Sequence, residues 1–203
     1  RSARVVAWSL FSEDYQMSTT DAPFGLRPAF HPSGLIRPVA MSIESGYNAN
    51  ILQFQPVKIG ASGTIEAAAA TEAAIVGTFM GVEFTDTDGR RRVSNKWTAS
   101  TAATDIVAYV TTDPAIVYEI QATSSINITD IGSQADFANV TAGSTTTGLS
   151  QAELDASQLT TSGNEILRIV NLAPEVNNAW GDAYTIVQVQ ISQHQFVADK
   201  AAF

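Results

Sequence analysis

The sequence predicts an all-β fold, an antiparallel β-barrel or sandwich with an extended N-terminal arm and one short helix. Three observations lead there. After residue 50, apolar residues recur at every second position in short runs, the period of half-buried strands. Turn signals such as Gly60-Ala61-Ser62-Gly63, Asp88-Gly89 and Asp113-Pro114 cut those runs into pieces. Helix signals are confined to brief stretches, and many short strands with little helix pack as a barrel or sandwich.

The first fifty residues read as an arm. Between Thr19 and Asn50 lie Pro23, Pro28, Pro32 and Pro38, with Gly25, Gly34 and Gly46 among them. Prolines at this spacing remove backbone donors and block both a long helix and a central strand. Yet Phe24, Leu26, Phe30, Leu35, Ile36, Met41, Ile43 and Tyr47 make the stretch too apolar for a free linker. Such an arm lays anchors into grooves, either on a partner or on its own domain. Its candidate partner-binding residues are the aromatics Phe24, Phe30 and Tyr47, with Arg27 and Arg37 as polar companions. Ahead of it, Arg1 and Arg4 precede Val5, Val6, Ala7, Trp8, Leu10 and Phe11, a faint signal-peptide form. The run is broken by Ser9 and closed by Glu13 and Asp14. Met17-Ser18-Thr19-Thr20 resembles a translation start, which makes residues 1–16 read as an upstream extension.

Residues 51–203 form the β-rich domain. Leu52, Phe54, Val57 and Ile59 alternate with polar neighbours, and Pro56 marks a bulge or an edge. Ala67 to Ala74 suits either a short helix or a small-residue loop. Val76, Thr78, Met80, Val82 and Phe84 are expected on one face of a long strand, with Gly77 and Gly81 opposite, where another backbone approaches closely. Asp88-Gly89 predicts a type I′ hairpin into a strand carrying Val93, Asn95 and Trp97. Two further strands, over Ile106–Val110 and Ile116–Ile120, are joined by the Asp113-Pro114 turn. An irregular excursion covers about 122–165; within it Ser150-Gln151-Ala152-Glu153 has the capping-box form of a helix that ends near Gln158. Strands then return at Leu167 and Ile169 and at Val187, Val189 and Ile191, separated by a loop holding Trp180.

Composition narrows the chemistry. Charged residues make up only 15 % of the chain and the net charge is −9. Nucleic-acid binding needs a concentrated basic footprint, and only Arg90, Arg91 and Arg92 cluster. That run reads as a solvated strand start beside Asp86 and Asp88, or as a dock for an acidic patch. No stretch reaches the ~18 apolar residues that span a bilayer. Without cysteine, disulfides, thiolate metal sites and cysteine nucleophiles are excluded. His31, between prolines of the arm, and His194, on the polar side of the last strand, are the two histidines, and structural or surface roles are expected for both. Asp86-Thr87-Asp88-Gly89 opens like a calcium loop, but arginines stand where further acids are needed. The chain therefore reads as non-enzymatic, with no cofactor and no metal. A weakly charged surface is also one that a partner can cover at small desolvation cost.

A family resemblance adds to this reading. Asp21-Ala22-Pro23-Phe24-Gly25-Leu26-Arg27-Pro28, Gly46-Tyr47-Asn48-Ala49-Asn50-Ile51, Pro56-Val57-Lys58, Gly81-Val82-Glu83-Phe84, Trp97 and Ala179-Trp180-Gly181-Asp182 together resemble the head decoration (cement) proteins of tailed bacteriophages. The matches are short and scattered over about residues 21–196, and residues 1–16 depart from the pattern. The resemblance implies a virion component, commonly a homotrimer, assembled in the host bacterial cytoplasm. It would sit on the capsid exterior and stabilise the lattice of the major capsid protein. The alternative is a β-sandwich module that binds carbohydrate or a receptor, with Trp97 and Trp180 as exposed aromatics.

Overall fold

The computed structural model describes residues 17–70 and 72–197. Among them the chain is built from short strands and single 3-10 turns, with no α-helix. The strands are β1 (Arg27–Phe30), β2 (Pro38–Met41), β3 (Ile51–Leu52), β4 (Pro56–Ile59), β5 (Ile65–Ala67), β6 (Gly77–Asp86), β7 (Arg91–Ser94), β8 (Lys96–Trp97) and β9 (Ala103–Thr111). They continue with β10 (Val117–Gln121), β11 (Gln134–Ala135), β12 (Phe137–Ala138), β13 (Gly143–Ser144), β14 (Leu149–Ser150), β15 (Glu153–Leu154), β16 (Leu167–Leu172) and β17 (Ile186–Ile191).

Two antiparallel sheets carry the architecture. One runs β2-β9-β6-β4-β5, with β7 beside the far half of β6. It curls until its two edges touch just past the end of β2, where Ile65 N–H donates to the Ser42 carbonyl at 2.8 Å. Ile43, Ile51, Val57, Ile65, Val76, Phe79, Val82, Trp97 and Val110 fill its interior. The second sheet runs β1-β10-β17-β16-β11. Its core holds Leu26, Ile75, Ile116, Tyr118, Ile120, Leu167, Ile169, Val187, Val189 and Ile191, closed by Ile126, Phe137 and Leu154 from the irregular excursion. That stretch is pinned by the two-stranded pairs β12–β15 and β13–β14.

Several expectations change in detail. The period of two breaks inside β6, because a register shift falls between Phe79 and Gly81 opposite Val110 and Tyr109. A bulge of this kind turns the following side chains to the other face. Phe79 and Val82 therefore reach the core, while Met80 stays only partly buried. The hairpin after β6 is present, but its turn is not type I′. Gly89 N–H donates to Asp86 O at 2.9 Å, and positive φ falls on Gly89 alone. A three-residue loop with glycine in the left-handed position matches a type I turn followed by a bulge. Asp113-Pro114 is a turn, with Ile116 N–H on Asp113 O at 3.2 Å. It does not close a hairpin, because β9 lies in the curled sheet and β10 in the open one.

The helix expected at Ser150 is absent. Leu149–Ser150 and Glu153–Leu154 pair as strands, and only Ala156–Gln158 forms a 3-10 turn, capped by Asp155, whose side chain accepts from Ser157 N–H. A capping-box pattern describes the start of a helix but cannot supply the apolar face that makes one stable. Of the two options for Ala67–Ala74, its described residues take the loop, with Ala68 buried.

Of the two alternatives for the arm, residues 18–50 lie along their own domain. β1 forms an edge of the open sheet and β2 an edge of the curled one. Leu26 and Ile43 are fully buried. Residues 1–16, including the signal-like run and the proposed upstream extension, fall outside the described residues.

Gly77 shows how tightly β6 and β9 approach. A Cβ placed there would lie 1.6 Å from the Thr111 carbonyl oxygen, at a φ of +151°. Gly77→Ala is therefore expected to cost about 3 kcal/mol or more in urea unfolding, through a backbone clash and a strained φ. Gly89→Ala, which meets open space, is expected to cost only about 1 kcal/mol, from its φ alone.

Candidate partner-binding surface

The five candidate anchors divide into two groups. Arg27, on β1, reaches Glu119 on β10 at 2.7 Å and also pairs with Glu175. Its guanidinium lies over the Phe24 ring, 4.6 Å from the centroid. Burial works against this charge, but hydrogen bonds and attraction from the two glutamates outweigh it and hold Arg27 above its ordinary value. Tyr47 packs against the curled-sheet core, and its hydroxyl accepts from Ala67 N–H at 3.1 Å. Phe24, Arg27 and Tyr47 thus fasten the segment to its own domain.

Phe30 and Arg37 face outward instead. Phe30 is 46 % exposed, and with it stand Leu35 at 53 % and Val39 at 47 %. Arg37, Leu35 and Val39 line a cleft of about 650 Å³, whose opposite wall is Thr112, Asp113, Pro114 and Ile116 from the turn between the sheets. A second cleft, of about 400 Å³, holds Pro38, Met80, Val93 and Tyr109. Consecutive residues of β2 therefore line two different clefts, as alternation across a strand requires. Among the described strands β2 pairs with β9 alone, so its other edge carries unpaired backbone groups over Pro38–Met41. The sequence named Leu35 as an arm residue and Val93 as a strand residue, but marked none of Val39, Val93 and Tyr109 as a contact. Val39 and Val93 lie on the outer strands β2 and β7, and no local pattern signals which strands take those places.

Charge around the hairpin beside the second cleft is held in local pairs. Arg92 bridges Asp86 at 3.0 Å and Asp88 at 3.1 Å, and Arg91 reaches Glu83 at 3.2 Å. The Tyr109 hydroxyl donates to the same Glu83 at 2.9 Å. The arginine run is the solvated strand start that its acidic neighbours suggested.

Other expected features lie elsewhere. Trp97 is fully buried, and Trp180 is partly buried against the open-sheet core, so neither forms an exposed aromatic platform. His194 lies beyond the end of β17 and is 3 % exposed, not on a polar face. Its neighbourhood is drawn inward by backbone pairing with Ile75 across the two sheets. No group of three or more metal-ligating side chains occurs among the described residues. Comparison with family models, with curated proteins and with solved structures finds no match.

Near the start of the segment, Asp21 and Glu153 line one shallow pocket with Asn139. Burial raises the Glu153 pKa, Asn139 opposes it with a 2.6 Å hydrogen bond, and the charge of Asp21 adds to the rise. A carboxyl raised in the folded state binds protons more tightly there than in the unfolded chain. Its ionisation therefore removes stability as pH climbs from the ordinary glutamate range of about 4.3 through the raised value. Glu153→Gln, which keeps an acceptor for Asn139, is expected to be more stable than the parent at neutral pH. The difference should shrink towards zero in denaturant titrations below about pH 4.

Proposed function

We propose that this chain is a structural virion protein that decorates a phage capsid and stabilises the lattice of the major capsid protein, acting as a homotrimer on the capsid exterior. The observation that carries the reading is the set of exposed apolar side chains Phe30 at the end of β1, Leu35 in the following turn and Val39 on the edge strand β2, on a chain only 15 % charged. An unpaired edge offers main-chain hydrogen bonds to a partner strand, and flanking clefts offer pockets for alternate side chains. The sequence resemblance to head decoration proteins supplies the kind of partner.

Stabilisation of this sort works by mass action. Whatever binds the assembled lattice and not its separated subunits shifts the balance towards assembly by RT ln(1 + [L]/Kd) per site. Many symmetric copies turn a modest affinity into avidity where geometry allows simultaneous engagement. Contacts made by apolar side chains and main-chain hydrogen bonds respond weakly to salt, whereas rim charges are screened as the Debye length falls to ~3 Å at 1 M.

Two measurements check the reading. Particles carrying the protein should release their genome at a higher temperature than particles without it, at low salt and at 1 M alike. The triple substitution Phe30→Ser, Leu35→Ser, Val39→Ser should abolish both the shift and binding, while leaving the unfolding midpoint of the free protein nearly unchanged. Equal release temperatures with and without the protein would remove the cement role.

Light scattering of the purified protein should give three times the 21.5 kDa chain mass at micromolar concentration. A monomer mass would rule out the trimer.

A further inference from the structure

We propose that Ser33, His31 and Asp113 form a hydrolytic site in the larger cleft, with a short-chain carboxylic ester as its substrate class. This site does not depend on the capsid reading, although Leu35 and Val39 belong to both surfaces. The three residues come from separate places in the fold. His31 and Ser33 belong to the turn that follows β1, and Asp113 to the turn between β9 and β10. The sequence places Asp113 about eighty residues away from the other two, and only the crossing between the sheets brings it near.

The local geometry begins with Pro32, which presets φ at the second position of a turn closed by Gly34 N–H on His31 O at 2.8 Å. That turn folds Ser33 back over the imidazole. Ser33 Oγ lies 2.6 Å from His31 Nδ1, and the Ser33 backbone N–H reaches the same nitrogen at 3.0 Å. A backbone N–H can only donate, so Nδ1 is an acceptor and the neutral ring carries its proton on Nε2. Nε2 lies 3.2 Å from Asp113 Oδ2. The serine hydroxyl then donates to Nδ1, and the carboxylate stands where it stabilises the ring once protonated. This is the logic of a serine–histidine–aspartate relay with the two ring nitrogens exchanged, and such relays are recognised by geometry and role.

The cleft supplies the rest. Its volume of about 650 Å³ suits a small ligand, and Leu35 and Val39 give it an apolar wall. Its lining also includes the guanidinium-bearing Arg37, a positive charge for a developing oxyanion.

The reaction balances without a cofactor. His31 Nδ1 takes the Ser33 hydroxyl proton as Oγ bonds to the ester carbonyl carbon. The bond to the leaving alkoxide breaks, and Nδ1 returns the proton to that alkoxide. Water then gives its proton to Nδ1 while its oxygen bonds to the acyl carbon. The bond from Oγ to the acyl carbon breaks, and Ser33 recovers its proton from the ring. Ester and water become acid and alcohol. Ser33 and His31 are the catalytic residues, and Asp113 is a positioning residue.

The test uses the full chain. A fluorophosphonate probe is incubated with folded and with urea-unfolded protein, and the adduct is mapped by peptide mass. Hydrolysis of p-nitrophenyl butyrate is followed in parallel. One adduct is expected, on Ser33, in the folded chain only. Ser33→Ala should lose both the adduct and hydrolysis above the buffer rate. His31→Gln should lower kcat about 10²-fold or more. Asp113→Asn should lower kcat with KM little changed, a split that a purely structural contact would not produce. These substitutions lie on exposed turns, and unfolding midpoints close to the parent would confirm intact folds. Absence of a Ser33 adduct, equal labelling of the unfolded chain, or parental hydrolysis by Ser33→Ala would each overturn the proposal.

Discussion

The two sheets of this protein enclose separate cores, and a narrow polar seam joins them. At its centre Thr78 on β6 faces Thr111 on β9, and both side chains are fully buried. Thr78 Oγ1 donates to the Leu26 carbonyl at 3.0 Å, and Thr111 Oγ1 meets the Tyr118 hydroxyl at 3.1 Å. Buried hydroxyls left without partners cost on the order of 1–3 kcal/mol each, so the seam is tolerable only because its hydroxyls are satisfied. The arrangement also demands close backbone approach, and Gly77 permits it. Burial pushes the Tyr118 phenol well above its ordinary pKa, which keeps it neutral and able to serve as donor or acceptor in this position.

Much of the remaining architecture follows from that seam. The chain leaves β9 at Thr111, turns at Asp113-Pro114 and enters the other sheet as β10. The N-terminal segment crosses the same boundary in reverse. It passes along β10 as β1, runs through the turn at His31, and joins the curled sheet beside β9 as β2. Leu26 N–H reaches Phe54 O at 2.8 Å on the way. Both crossings lie side by side, which is why one cleft is walled by the arm on one side and by the Asp113 turn on the other. A self-wrapping segment thus does two things: its inward residues close the cores, and its outward residues make the exposed apolar set.

The charges of the curled sheet are held mainly in local pairs. Ion pairs between side chains as exposed as Arg92, Asp86 and Asp88 contribute little to stability. Arg27 differs, because Glu119 is largely buried and the pair ties β1 to β10 against the Phe24 ring. Arg27 and Arg37 are alike by composition and were both plausible partner contacts. Their neighbours separate them: one faces two glutamates of its own chain, and the other faces an open cleft.

The all-β class, the hairpin at Gly89, the turn at Asp113 and the close approach at Gly77 were legible in the residues, because each rests on local chemistry. Alternation, positive φ, the fixed φ of proline and the absence of a side chain act within a few positions of the chain. The misreadings at Met80 and Ser150 arose where tertiary packing overrides such signals: a bulge reverses the face of β6, and a capping-box pattern is drawn into a strand pair. For the candidate site, the sequence identified an apolar arm and its aromatics. It could not separate the residues that hold the arm down from those that face out. Nor could it bring Asp113 to His31, because that contact depends on which sheet each strand joins. By itself the sequence determined which segments become strands and where they turn. The partners those strands choose, and hence the seam, the open edge of β2 and the cleft beside it, were decided by long-range burial of two cores.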